Sequence, residues 1–497
     1  MKKPLCGYHR GENPSSHCGK SPLQFRHVPG KQRLTKHGAP MQMQRRNEAL
    51  LYVPSDTPEA LVTATRPLAG VPLIIRGIMT LAQSGIKGIT LLVAPSQQKK
   101  IETFLQRYRT TPLPSLTILS YDEPYRMSPK LLNDMVESLD QRFFVINSNF
   151  LFDLHLLNSF HGLEVRGHEI MHCQEGVHPL PFFRLTRSGL NTLLSFTTEK
   201  PRSIESCLTH LLSTLSCHVV QKPKKADSFL VMKPEDRPIA EKFLTESIRR
   251  ATNGIVARWI NKRFSLPVSL LLSKIWVSPN TITVINMCIG LLSGVFIAHG
   301  KNYASILLGA SLFQLASIAD GCDGEVAKLT FRTSRFGQYI DTISDNASLL
   351  SLLVGLIFGY WQYTGSSIAF IVGGTTLLAT ITIILFQLYT LRKFTTSKSL
   401  AIYHKEFLPR IMIHQPRWLG TFIQLGKFVV MKDFFSLAIF LFALFGIIYW
   451  WLYIALVASL VGVLITGYLA FSQVMPQALT SQVSFRKTSP STLTTTL

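Results

Sequence analysis

Apolar residues follow two different patterns along the chain. Residues 50–245 alternate short apolar runs with polar stretches, whereas residues 278–471 are dominated by long apolar runs. The first pattern is typical of a soluble domain, and runs of about 20 apolar residues are typical of helices that cross a bilayer. The chain is therefore predicted to join a soluble N-terminal domain to a helical membrane domain.

The soluble part alternates predicted strands and helices. Strands are predicted at 49–53, 89–94, 116–120 and 143–147, and helices at about 73–84, 96–108 and 128–140. Strands that alternate with helices favour a doubly wound α/β sheet with parallel strands.

Six apolar segments in the second part are predicted to be transmembrane helices, which makes the protein integral to a membrane. They lie at about 281–299, 302–319, 338–360, 366–390, 434–450 and 452–471. The 320–337 and 391–433 links are rich in Lys and Arg, whereas the other three turns contain Lys301 as their one basic residue. By the positive-inside rule, both termini and both basic links are predicted to be cytoplasmic.

Five segments follow from these patterns. They are a basic disordered arm (1–46), an α/β domain (47–236), an amphipathic juxtamembrane segment (237–277), a membrane domain (278–475) and a cytoplasmic tail (476–497). Trp259 and Trp276, with the Arg and Lys residues around them, favour a juxtamembrane segment that lies on the bilayer surface. An ordinary linker helix packed on the soluble domain is the alternative.

The net charge of +23 changes this picture little. No recognised nucleic-acid-binding motif accompanies the charge, so no nucleic-acid partner is predicted. The basic residues crowd beside the apolar segments, where they suit contact with anionic membrane lipids. Seven cysteines, an odd number without disulfide-like spacing, indicate a reduced chain that faces the cytoplasm.

Candidate chemistry is concentrated in the first basic link and the start of the predicted helix that follows it. Asp320 and Asp323 are three residues apart, and Asp341 and Asp345 are four apart. On helices, each spacing places both carboxylates on one face. Four facing carboxylates repel one another unless they are protonated or neutralised, and oxygen ligands of this kind suit Mg²⁺ or Mn²⁺.

The spacing of these acids resembles the signature of the CDP-alcohol phosphotransferases, D-x2-D-G-x2-A-R-x8-G-x3-D-x3-D. The matching positions are Asp320, Asp323, Gly324, Ala327, Lys328, Gly337, Asp341 and Asp345, with Lys328 in place of the family's arginine. The resemblance implies a membrane enzyme that passes the phosphoryl-linked part of a CDP-alcohol to a second alcohol and releases CMP. Lys328 keeps the positive charge but lacks the planar, bidentate guanidinium.

The resemblance also implies roles for the acids. Asp320, Asp323 and Asp341 would be the main metal ligands. Asp345 would be the fourth acid of the metal site and the general base, with Asp341 the second acid that we assign to catalysis.

Further residues would hold the nucleotide part of the donor. Gly324 and Ala327 would let it approach the backbone closely, and Lys328 would meet the diphosphate. Gly337 fits either this role or close packing of membrane helices. Asn280 and Thr283 belong to a P-N-x-x-T sequence that relatives place near the nucleotide, although Pro279 and Asn280 also suit a simple helix start. Elsewhere in the link, basic residues either hold an anionic acceptor or mark the membrane boundary; these are Arg332 and Arg335.

The soluble part resembles the sugar nucleotidyltransferases, in particular the cytidylyltransferase half of the bifunctional inositol-phosphate enzymes. That family has a glycine-rich phosphate loop after its first strand, where this chain has Val53-Pro54-Ser55-Asp56. Asn149 stands where the family has a metal-binding aspartate, and the second metal aspartate is also missing, from the 230–236 stretch. We interpret residues 47–236 as an inactive nucleotidyltransferase fold.

The leading functional hypothesis is a CDP-alcohol phosphotransferase of phospholipid or phosphodiester biosynthesis. Its partners would be a CDP-alcohol donor, an alcohol or phospho-alcohol acceptor and membrane lipids, and a homodimer is a further expectation. One alternative keeps the soluble half active, as a bifunctional cytidylyltransferase and transferase. Another is a non-enzymatic membrane protein that uses its acids to bind ions. The domain pairing suggests an inositol-like donor, whereas CDP-diacylglycerol is the commoner donor in the wider family.

Overall fold

The computed structural model describes residues 47–54, 58–107, 113–121, 129–161, 163, 170–197, 203–214, 217–252, 254–394 and 431–471. The predicted arm at 1–46, the tail at 476–497, Ser55, Asp56 and most of the 391–433 link lie outside these ranges.

The N-terminal part is an α/β domain built on a seven-stranded sheet. Its seven strands are β1 (Asn47–Tyr52), β4 (Gly88–Val93), β5 (Ser115–Ser120), β6 (Leu139–Asn147), β8 (Ile170–Glu175), β9 (His178–Thr186) and β10 (Cys217–Gln221). Two short pairs lie outside this sheet, namely β2 (Pro67–Leu68) with β3 (Val71–Pro72), and β7 (Phe150–Phe152) with β11 (Ser228–Leu230). The helices of the domain are α1 (Pro58–Thr65), α2 (Leu73–Gln83), α3 (Gln98–Gln106), α4 (Pro129–Ser138), α5 (Leu154–His161), α6 (Arg187–Thr197) and α7 (Ile204–Thr214).

The strand order is β10-β8-β9-β6-β1-β4-β5. Strands β6, β1, β4 and β5 are mutually parallel, as predicted, and every residue of β4 is buried. Continuous burial of an apolar strand is expected where helices cover both faces of a sheet. The prediction of parallel strands does not hold for β9, which pairs antiparallel with β6 and β8. The two-residue turn at 176–177 joins β8 and β9 as a hairpin.

The juxtamembrane segment forms α8 (Arg237–Arg250), a π-helical turn (Ala257–Asn261) and α9 (Lys262–Lys274). Trp259 is 63% exposed, and its place at the bilayer surface stays a prediction. The expectation that Trp276 lies at the lipid interface is wrong. Its ring packs against the core of the α/β domain and lies between the guanidinium groups of Arg107 and Arg332. Each of these cations is attracted to the face of the aromatic ring.

Glu241 joins α8 to α9 and to the α/β domain. Its carboxylate accepts hydrogen bonds from Lys274 Nζ at 2.7 Å, Arg237 Nε at 3.2 Å and the Ala69 N–H at 3.5 Å. Burial alone would raise the pKa of Glu241, because it favours the neutral acid. The Lys274 ammonium and these hydrogen bonds together have the larger effect, so the pKa of Glu241 lies below its usual value. The ionised carboxylate therefore stabilises this joint at neutral pH.

The membrane part contains α10 (Pro279–Ala298), α11 (Tyr303–Thr330), α12 (Arg335–Thr364), α13 (Ile368–Phe394), α14 (Lys432–Leu444) and α15 (Trp450–Phe471). Five of them, all except α14, include stretches long and apolar enough to cross a bilayer. The prediction of a transmembrane helix at 434–450 is corrected. Helix α14 spans 13 residues and ends before a turn in which Gly446 has a φ of +71°. A six-span topology is therefore not established by the described helices.

Close contact between α10 and α12 brings the two halves of the candidate site together. A Cβ on Gly355 would lie 2.3 Å from the carbonyl oxygen of Gly294, and one on Gly290 would lie 2.1 Å from Ser348 Oγ. Small residues at such positions let membrane helices approach with their backbones nearly touching. The chain entering α12 is thereby fixed beside the start of α10.

Candidate active site

The four aspartates lie on two consecutive helices near one end of the membrane part. Asp320 and Asp323 belong to the last three turns of α11, and Asp341 and Asp345 belong to the first three turns of α12. Ser334 begins α12, its hydroxyl accepting a hydrogen bond from the Gly337 N–H at 2.9 Å. The short 331–334 link turns the chain back, so the two acid pairs meet.

Three of the four carboxylates form one group. One oxygen atom from each of Asp320, Asp341 and Asp345 lies within 4.8 Å of the other two. These side chains are half-buried rather than fully exposed. Three carboxylates at this separation supply the oxygen-only donor set that Mg²⁺ and Mn²⁺ prefer.

Asp323 is held apart from this group. It is 7% exposed, and it accepts hydrogen bonds from the Thr283 hydroxyl and, at 2.6 Å, from the Gly324 N–H. The family signature implies that Asp345 is the acid beside the three main ligands, whereas in this structure Asp323 is the one outside the group. Thr283, predicted to lie near the nucleotide, orients Asp323.

Two polar residues outside the family signature also lie in the site. Asn286 donates a hydrogen bond from Nδ2 to Asp320 Oδ1 at 3.0 Å. Lys432, the first residue of α14, forms ion pairs with Asp320 Oδ1 at 3.1 Å and with Asp345. The ammonium group lies between two carboxylates, so this part of the site is already shaped to hold positive charge.

A signal for Asn286 is present in the sequence. Asn280, Thr283 and Asn286 follow one another at intervals of three, which places them near one face of α10. Lys432 offers no comparable signal, because it stands 87 residues beyond Asp345 and counts among the many basic residues of the 391–433 link.

The two glycines of the signature have different surroundings. A Cβ on Gly337 would lie 2.8 Å from Asn280 Oδ1, so this glycine admits the Asn280 side chain beside α12. A Cβ on Gly324 would meet no atom within 4 Å, although the residue lies inside α11. Glycine within a helix costs about 0.5–1 kcal/mol relative to alanine, and packing inside the protein does not explain that cost at Gly324. Ala327 is half-buried one turn further along the same helix.

Lys328 lies at the boundary between the membrane part and the α/β domain. It lines a cavity of about 150 Å³ together with Arg76, Asp153, Ser247 and Phe331. None of the four aspartates lines this cavity. Contact between Lys328 and the diphosphate of a donor therefore stays a prediction.

We expect Gly324→Ala to lower kcat/KM for the donor by at least about tenfold, equivalent to about 1.4 kcal/mol, if the open face of Gly324 receives substrate. The unfolding free energy should rise by about 0.5–1 kcal/mol, because alanine is the better helix former. Gly374→Ala is the matched control, since Gly374 lies inside α13 and a Cβ there also meets no atom within 4 Å. Steady-state kinetics and thermal unfolding of both variants test this, and equal kinetics for the two would contradict it.

Comparison with known sequences finds a family match within the membrane part. Residues 276–406 match the sequence model of the CDP-alcohol phosphatidyltransferase family. The matched region includes all four aspartates. The resemblance inferred from their spacing is thereby confirmed for this part of the chain.

The matches to curated relatives cover only part of each protein. The "Bifunctional IPC transferase and DIPP synthase" of Thermococcus kodakarensis is 38% identical over 125 residues, covering 24% of this chain and 27% of the relative. The "Archaetidylinositol phosphate synthase" of Pyrococcus horikoshii is 32% identical over 89 residues, covering 18% of this chain and 45% of the relative. The matched region thus spans about a quarter of the first relative and less than half of the second.

Among solved structures, the inositol-1-phosphate CTP transferase from T. maritima aligns with 42% of this chain and 98% of its own length. The sequence identity is 12% and the TM-score is 0.33. The α/β class of the N-terminal domain is shown by its own sheet.

Proposed function

We propose that the protein is a membrane CDP-alcohol phosphotransferase. The observation that supports this most is the convergence of Asp320, Asp341 and Asp345 from two helices, at the spacing of the family signature. The proposed reaction takes a CDP-alcohol donor and an alcohol or phospho-alcohol acceptor. It would supply a phospholipid or another phosphodiester.

In the proposed reaction, the acceptor hydroxyl attacks the phosphorus atom that carries the donor alcohol. A new oxygen–phosphorus bond forms, the bond to the bridging pyrophosphate oxygen breaks, and CMP leaves with that bonding electron pair. The hydroxyl proton passes to a base as attack begins. The products are one phosphodiester and one CMP for each donor consumed.

Asp320 and Asp341 would hold Mg²⁺ or Mn²⁺, with Asp345 or Asp323 completing the oxygen ligands. A bound divalent ion would neutralise the pyrophosphate charge. Asn286 fixes the orientation of Asp320 by hydrogen bonding, and Thr283 does the same for Asp323. Oriented ligands of this kind bind a metal more tightly than mobile ones.

Asp345 is the proposed general base. Its side chain is 39% exposed, so an acceptor hydroxyl can approach it, whereas Asp323 is buried and both its oxygens already accept hydrogen bonds. Lys432 lies against Asp345 and Asp320. We infer that an anionic group of the acceptor binds at this end of the site, beside Lys432.

The donor would lie along the open side of α11, beside Gly324 and Ala327, with Asn280 and Gly337 opposite. We infer that the site is cytoplasmic, because the flanking links are rich in basic residues. We also infer that these basic residues contact anionic lipid headgroups. A homodimer remains part of the proposal.

A panel of CDP-alcohols tests the proposed activity. Purified protein in lipid vesicles would be incubated with CDP-inositol, CDP-diacylglycerol or CDP-glycerol, each with Mg²⁺ and a mixture of polyol and polyol-phosphate acceptors. We expect acceptor-dependent CMP release with at least one donor. Mn²⁺ binding without CMP release from any donor would instead favour the non-enzymatic, ion-binding alternative.

We also propose that the α/β domain makes no CDP-alcohol. Asn149 follows β6 with its side chain buried, and its backbone N–H donates to Asn147 Oδ1 at 2.8 Å. The side-chain amide of Asn149 would bind a divalent ion less strongly than the family's carboxylate. Pro54, in the position of the phosphate loop, has no N–H to offer a phosphate.

The full-length Asp320→Asn variant allows this proposal to be tested, because its transferase site would be silent. With CTP, Mg²⁺ and inositol phosphate, we expect no pyrophosphate above the level seen without the alcohol phosphate. Pyrophosphate release that saturates with inositol phosphate would show the bifunctional alternative to be correct.

A further inference from the structure

Three non-glycine residues in the described part of the chain have a positive φ, and all three lie where the α/β domain meets the membrane part. They are Ala69 at +46°, Trp276 at +61° and Phe331 at +56°. Residues with a Cβ avoid this region of backbone conformation, and persist there only where surrounding contacts hold them. Trp276 and Phe331 follow the ends of α9 and α11, where this conformation is common but is usually adopted by glycine. The contacts that hold these two bulky residues there lie in the interface.

Trp276 links the α/β domain to the start of α10. Its ring lies between the guanidinium groups of Arg107, from the α/β domain, and Arg332, from the link after α11, each 5.3 Å from the ring centre. Arg332 also donates hydrogen bonds to the carbonyl oxygens of Trp276 and Val277 at 3.4 and 3.3 Å. Four residues later, Asn280 begins the face of α10 that reaches Asp323 and Asp320.

Phe331 makes the corresponding link at the end of α11. Its ring packs against the α/β core, and the guanidinium of Arg76 lies 5.7 Å from the ring centre. Arg76 is buried, and it donates hydrogen bonds to the carbonyl oxygens of Leu68 and Ala69 at 2.6 and 3.3 Å. Phe331 stands between Asp323 and Ser334, the residue that begins α12.

The β2–β3 turn completes the interface. Gly70 has a φ of +81°, and a Cβ on it would lie 2.2 Å from the carbonyl oxygen of Ser273 in α9. The turn therefore touches the end of α9 directly, just before Trp276. The α/β domain thus contacts the segment that leads into α10 and the link that joins α11 to α12.

We propose that the α/β domain positions the transferase site, with Trp276 and Phe331 as the positioning residues. This inference rests on the proposed transferase function. The domain holds the start of α10 and the α11–α12 link at fixed places, and so sets how Thr283 meets Asp323 and how the two acid pairs face each other. Displacement of reacting groups by about 1 Å can cost a hundredfold in rate, so a distant anchor of this kind is measurable.

Arg107→Ala tests this from the α/β side without altering the membrane part. We expect kcat to fall about tenfold while the melting temperature stays within a few degrees of wild type, and Arg107→Lys to restore most of the loss by keeping a cation over Trp276. Arg142→Ala, an exposed arginine of β6 in the same domain, is the control and should leave kcat unchanged.

Phe331→Gly separates positioning from folding, because glycine adopts the positive φ without strain. We expect it to be at least as stable as Phe331→Ala, yet to have a kcat reduced to a similar extent. A kcat that follows stability in these two variants would overturn the proposal.

Hydrogen–deuterium exchange supplies a readout that does not depend on activity. In Arg107→Ala, amides of residues 276–283 and 331–337 should exchange faster than in wild type, while those of α13 should not change. Wild-type exchange in these segments would overturn the inference even if the wild-type enzyme is active. A wild-type protein without CMP release would contradict the proposed function alone, and the exchange measurement would still decide the inference.

Discussion

Replacing Asp320 by asparagine is expected to reduce CMP release by at least about 10²–10³-fold, the scale on which the loss of one charge-stabilising group slows an enzyme. One oxygen of Asp320 lies within 4.8 Å of an oxygen of each of the other two grouped acids, and Asp320 Oδ1 also accepts a hydrogen bond from Asn286 and pairs with Lys432. Chelation with excess EDTA should abolish wild-type turnover, and added Mg²⁺ should restore it. Mn²⁺ binding, followed by electron paramagnetic resonance, should weaken in the variant as well.

Asp433→Asn is the matched control for this experiment. Asp433 also lies at the end of a membrane-part helix, but its Oδ1 accepts a hydrogen bond from Asn261 at 2.5 Å, which an asparagine oxygen can still accept. We expect this variant to keep most of the activity and all of the Mn²⁺ binding. Full turnover in excess chelator, or equal losses in both variants, would contradict the assigned metal role.

Replacing Asp345 by asparagine is expected to lower kcat by about 10²–10⁴-fold, the usual scale for general acid–base catalysis. Asparagine keeps the shape of the side chain but cannot take a proton. The KM for the donor and the affinity for Mn²⁺ should change little, because Asp320 and Asp341 remain and the asparagine keeps an oxygen that can bind the ion.

The same variant distinguishes a base from a ligand. Loss of Mn²⁺ binding in Asp345→Asn, to the extent expected for Asp320→Asn, would make Asp345 chiefly a metal ligand. Near-normal turnover would remove Asp345 from the mechanism.

Local periodicity explains why much of the site was predictable. The spacing of Asp341 and Asp345 depends on helical geometry alone, and the structure places both on α12 facing Asp320. Lys432 and Trp276 depend on contacts between segments distant in sequence. No local pattern distinguishes a lysine that reaches a carboxylate cluster from one that marks a membrane boundary, or a tryptophan held between two arginines from one at a lipid surface.

The fold likewise has parts that local sequence patterns predict and parts that they do not. Strands β1, β4, β5 and β6 were predictable from apolar runs separated by helical patterns, because each parallel crossover leaves that alternation in the sequence. The reversal at β9 follows from the short turn after β8. Helix α14 ends early because the chain turns at Gly446, inside an apolar stretch where hydrophobicity alone predicts a longer helix.

The site is proposed to transfer a phosphoryl-linked alcohol to an acceptor hydroxyl. The most direct measurement uses an acceptor whose hydroxyl oxygen is ¹⁸O, with mass spectrometry of all products. We predict one labelled phosphodiester for each CMP, with no label in CMP, and at least about 10²-fold less of both products from Asp320→Asn. Release of CMP together with a free phosphomonoester of the donor alcohol, with no label in any phosphodiester, would show hydrolysis and contradict the proposed transfer.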